Sequence, residues 1–138
     1  MGAWGLGAFE NDGAFESFCR VRDGKIDAIA QAFASALAQA DYLEVDAGQN
    51  AVAAAEMVAT AYDRPDRKLP DDIRDIIAAQ AARIRDVPEL IGQARASLAR
   101  VLTDGSEIAE LWDEVGESAE WRERVTDLDR RLNDIKGA

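Results

Sequence analysis

Trp121, Val125, Leu128, Leu132 and Ile135 step along the end of the chain by four, three, four and three residues. An α-helix turns once in about 3.6 residues, so this spacing gathers all five side chains into one narrow seam suited to lying along another helix. The rhythm recurs upstream. Ile26, Ile29, Phe33, Leu37 and Ala40 predict a helix over Lys25–Ala40, and Val52, Ala55, Ala59 and Tyr62 predict one over Gln49–Ala61. From Pro70, Ile73, Ile76, Ile77, Ala81 and Ile84 line one face; from Pro88, Ile91, Ala94, Leu98 and Val101 or Leu102 line another. Asn11 or Asp12 can cap a first helix with Phe15, Phe18 and Cys19 on one side, which Gly24 stops. The turn from Asp41 to Gly48 is expected to tuck Tyr42, Leu43 and Val45 inward. Asp104 to Glu107 reads as the capped start of a short helix carrying Ile108, Leu111 and Trp112, ended by Gly116, and Ser118 caps the last helix. Glu120 with Arg124, and Asp127 with Arg131, are spaced for ion pairs along that helix.

No run alternates in the manner of a strand. The expectation is one all-α domain over residues 1–138, a single compact bundle of six or seven helices with an N-terminal Gly/Trp-rich segment packed on it.

Charge narrows the classes of partner. The formal net charge is -11, which opposes nucleic acid and anionic membrane surfaces because both are bound through clustered Lys and Arg. The partners it favours are cationic: a basic protein or peptide, or a divalent metal. There is no histidine, so Ser-His and Cys-His catalysis and His-ligated metal sites are ruled out. The one cysteine, Cys19, beside Phe18 and Val21, reads as a small buried hydrophobe in a reducing cytoplasm. No signal peptide and no long apolar span is visible. No residue pattern calls for a cofactor.

Two acidic features invite chemistry. Glu56 adjoins the apolar stripe of an alanine-rich helix. A carboxylate there either has a raised pKa and does acid–base work, or is paired with an arginine, and the pairing is the favoured reading. Residues 104–123 hold eight acids, Asp104, Glu107, Glu110, Asp113, Glu114, Glu117, Glu120 and Glu123, against one base, Arg122. Glu107 with Glu110, and Glu120 with Glu123, have the one-turn spacing at which two carboxylates can share a hard cation. Arg64-Pro65-Asp66-Arg67-Lys68 is the one locally basic spot.

The N-terminus sets glycines around large aromatics: Trp4-Gly5, Gly7, Phe9, then Asn11-Asp12. Such alternation suits backbone pressed against a surface while Trp4 and Phe9 plug it. Together with Ala53–Glu56, Leu111-Trp112 and Glu120-Trp121-Arg122, this opening resembles a family of small bacterial proteins, the domain of unknown function 4259. The resemblance runs over nearly the whole chain. Relatives often carry a second acid after Asn-Asp, where this chain has Gly13. It implies no reaction, ligand or metal.

The leading expectation is therefore a small acidic cytoplasmic protein that binds a basic protein partner. Its surface would be Glu107, Glu110, Asp113, Glu114 and Glu117, much as immunity proteins bind toxins. The alternative is a carboxylate-only, metal-dependent hydrolase of the all-α pyrophosphatase type.

Overall fold

The computed structural model describes residues 12–135 and contains eight helices: α1 (Asp12–Arg22), α2 (Asp27–Ala38), α3 (Val45–Ala61), α4 (Asp71–Ala79), α5 (Ala81–Arg85), α6 (Glu89–Leu102), α7 (Glu107–Glu114) and α8 (Ser118–Asn133). Among the described residues there is no strand; the one β-type pairing is a parallel bridge between Leu43 and Ser106.

α3 is the axis of the fold. It packs against each of the other seven helices, and 14 of its 17 residues are buried. Only a helix of small side chains can be covered on every side, and Ala47, Ala51, Ala53, Ala54, Ala55, Ala59 and Ala61 supply them. The expected stripe on α3 is therefore a sleeve, and the helix begins at Val45, four residues before the sequence reading placed it. Gly48 shows how close the packing is: a Cβ there would lie 2.9 Å from Ile108 Cγ2 of α7.

The other helices bury one face each. On α8 the whole seam from Trp121 to Ile135 is buried, as its spacing predicts. Leu90, Ile91, Ala94, Leu98 and Val101 do the same on α6. On α2 the inward face is Ile29, Ala32, Phe33 and Ala36, and Leu37, expected inside, is 42% exposed. Ala32 and Ala36 take the inner positions, and Leu37 turns outward. On α1, Ala14, Phe18 and Val21 face the core, Cys19 is partly buried against it, and Phe15 lies largely outside. In the turn before α3, Leu43 is wholly buried and Val45 partly so, whereas Tyr42 is 43% exposed.

One difference raises the helix count from the expected six or seven. The helix expected from Pro70 breaks at Gln80, whose backbone leaves helical geometry (φ -106°, ψ 3°) and whose side-chain Nε2 donates to the carbonyl of Arg22 at the end of α1. This divides it into α4 and α5, with Ile77 and Ile84 each reaching the core. The start of α7 also differs. Ser106 makes no side-chain cap; the Glu107 N–H donates to the Leu43 carbonyl at 2.8 Å, while Leu43 N–H donates to Gly105 at 2.7 Å. Backbone pairing thus replaces the predicted capping box. Gly105 turns here at φ +78°, with the carbonyl of Asp41 3.0 Å from where a Cβ would sit. Ser118 does not cap α8 either: its Oγ accepts from Arg122 Nε at 3.1 Å.

Candidate functional site

Glu56 lies mid-way along the buried α3 and is only 2% exposed. Arg131, from α8, meets it as a fork: Nη1 donates to Oε2 at 2.8 Å and Nη2 to Oε1 at 2.9 Å. The sequence spacing gives no hint of this partner, 75 residues away, although the type of partner was legible. Burial pushes the Glu56 carboxyl above the usual carboxylate range, and the guanidinium pulls part of that rise back. The pair also organises its surroundings. Arg131 Nη1 donates to the Arg64 carbonyl at 2.8 Å and Nε to Asp127 Oδ2 at 3.0 Å. The Asp66 N–H donates to Glu56 Oε2 at 3.3 Å, and Thr60 Oγ1, which donates to the Glu56 backbone carbonyl at 2.8 Å, lies 3.3 Å from the same oxygen. One ion pair therefore ties α3, the loop after it and α8 together. The predicted Asp127–Arg131 contact forms; among the described residues, a Glu120–Arg124 contact does not. Every strong donor around Glu56 is engaged with it, which fits a structural clasp.

Both ends of α3 are complemented by charge. At its start, Glu107 Oε1 accepts from the Val45 N–H at 2.8 Å, placing a carboxylate where unpaired amides and the helix dipole favour one. At its end, Arg85 Nε donates to the Ala61 carbonyl at 2.6 Å and Nη2 to Asp63 Oδ2 at 3.2 Å. The same guanidinium lies 5.4 Å over the Tyr62 ring. Asp63 holds the turn at φ +62°, a left-handed conformation that Asp tolerates better than most residues.

The acidic stretch divides by role. Glu107 is half-buried and committed to α3, while Glu110, Asp113, Glu114 and Glu117 are exposed. Ile108 and Ala109 fix the underside of α7 in the core, and Trp112 packs partly against it. Tyr42, missed by the sequence reading, joins the acidic face: its hydroxyl donates to Glu110 Oε1 at 2.8 Å. That bond and the surrounding carboxylates push the phenol up to about 12 from 10.0. A raised phenol pKa means that the folded state holds the proton more firmly than the unfolded one. The bond's contribution to stability is thus intact below about pH 10 and fades as pH climbs toward 12. A near-ultraviolet alkaline titration should show one tyrosine ionising late in the wild type and returning toward its ordinary range in Glu110→Gln. An unchanged titration in that variant would contradict the pairing.

The two carboxylate pairs spaced one turn apart are used differently. Glu107 turns to Val45, and Glu120 and Glu123 line a separate cleft beside residues 65–68. Among the described residues, no three Asp, Glu, Cys or His side chains are grouped to hold a metal ion, and no helix is long and apolar enough to cross a membrane. Trp4, Gly5, Gly7, Phe9 and Asn11 lie outside the described residues; Asp12 is the first residue of α1.

The architecture is an all-α bundle wrapped on one buried helix, clasped by a carboxylate–guanidinium pair and edged by acidic residues. The chain belongs to the family described as Domain of unknown function (DUF4259), whose model matches residues 2–124. No curated protein and no solved structure matches it. The matched span includes the Trp4–Asp12 motif, Glu56 and all of α7; Arg131 lies beyond it.

Proposed function

We propose that the protein is a small acidic interaction module that binds a basic protein partner through α7 and its flanks, in the manner of immunity proteins. The observation that carries this reading is the composition of one surface. Glu110, Asp113, Glu114 and Glu117 are all exposed there. In the same stretch Val115 is 57% exposed, and Tyr42, bonded to Glu110, is 43% exposed. Carboxylates around a few open apolar groups complement a basic surface that also has something to bury. Glu107 sits at the inner edge of this face. The net charge of -11 steers cationic protein toward it and repels nucleic acid and anionic lipid. A cytoplasmic location fits a chain with a single cysteine.

Charge-steered association has a kinetic signature. The association rate with the partner should fall steeply as salt rises, while dissociation changes little. An association rate indifferent to salt would count against the acidic face.

A further inference from the structure

A cleft of about 660 Å³ opens between residues 65–68 and α8, away from α7 and independent of the reading above. Its wall and floor are fixed. Asp66 N–H is held by Glu56, Lys68 N–H by Asp66 Oδ1 at 2.9 Å, and the Arg64 carbonyl by Arg131. Within the cleft the charges fall into two sets. Arg130, Arg131 and Asp127 satisfy one another or Glu56, and the Asp66 carboxylate is engaged by the Lys68 N–H. Arg67, Lys68 and Arg124 have no carboxylate partner among the described residues, and Glu120 and Glu123 have no cationic one, although all five line the same space. Glu120 and Arg124 stand one helical turn apart and still leave each other unpaired. Here both signs stand unpaired around one opening, so a ligand that bridges them need break no ion pair to bind.

We infer that this cleft binds a short zwitterionic peptide, its carboxylate taken by Arg67, Lys68 and Arg124 and its ammonium by Glu120 and Glu123. A simple anion would satisfy the cations only by approaching two unpaired carboxylates, and a simple cation has the converse difficulty. Forked guanidiniums match a carboxylate in shape as well as charge. With Pro65 the one apolar lining residue, the occupant is polar along its length. The volume lies in the range of small-ligand sites, about 300–1,000 Å³, and has room for a few residues.

The test is calorimetric titration of the full chain with triglycine, N-acetyl-triglycine, triglycine amide and inorganic phosphate. Triglycine should bind saturably, and blocking either end should weaken it by about tenfold or more, equivalent to about 1.4 kcal/mol. Arg67→Glu with Arg124→Glu, and separately Glu120→Lys with Glu123→Lys, should abolish the heat while circular dichroism stays unchanged. The blocked peptides make the test independent of how the variants fold. No saturable heat from triglycine up to about 10 mM, a concentration that would reveal Kd values in the millimolar range, would overturn the inference. So would binding of phosphate or either blocked peptide as tight as that of triglycine.

Discussion

Arg131→Met is expected to lower stability by about 3–5 kcal/mol, because it leaves Glu56 buried without its counter-charge. In a chain of this size that corresponds to a fall in Tm on the order of 10 °C or more. The change also releases the Arg64 carbonyl and Asp127, so the loop after α3 should become the first site of proteolysis. Replacing both partners, Glu56→Leu with Arg131→Met, should recover most of the loss, since an apolar pair of similar volume needs no neutralising partner. Some loss will remain, because the Asp66 N–H loses an acceptor. pH adds a sign. Without Arg131, the already raised carboxyl of Glu56 rises further, so the folded state takes up a proton before the unfolded state does. The cost of Arg131→Met should therefore shrink as pH falls toward the ordinary glutamate range near about 4.3. A Tm within a degree or two of wild type at neutral pH would show that the pair is not a clasp.

Phe33→Ala should cost a comparable amount, about 3–5 kcal/mol. Among the described residues, Phe33 is the largest of the fully buried side chains. Seven of the 17 residues of the helix at the centre of the molecule are alanine, so few large groups are available to collapse into the space left behind. Chemical denaturation should show a lower midpoint with an unchanged slope. A loss below about 1 kcal/mol would mean that the bundle repacks freely, contrary to a close-packed sleeve around α3.

These two sites show what the amino-acid order reveals. The α8 seam and the α6 face were legible because each helix buries one side, and a one-sided helix writes its period into the sequence. α3 was legible as a helix but not as the centre, because a helix covered on all sides has no polar face to mark its orientation. Leu37 misled for a related reason: size alone placed it inward, while the small Ala32 and Ala36 take the buried positions. Capping failed at Ser106 because Leu43, distant in sequence, supplies the acceptor that a local side chain would have given. At the candidate site, the kind of partner for Glu56 could be foreseen from chemistry, whereas Arg131 could be assigned only once α3 and α8 were packed. The double use of the acidic stretch, Glu107 inward and Glu110 to Glu117 outward, likewise depends on where α3 begins.

The proposal that α7 is a docking face for a basic protein meets its most direct test in affinity capture from the native host. Wild type would be compared with the triple variant Glu110→Lys, Glu114→Lys and Glu117→Lys. All three residues are exposed, and Ile108 and Ala109 still hold α7 to the core, so the variant should melt near the wild-type temperature. The account predicts that a basic protein recovered by wild type at low salt is lost from the variant, and that its association with wild type slows as salt is raised. Recovery of the same partners in equal amount by both proteins would contradict it.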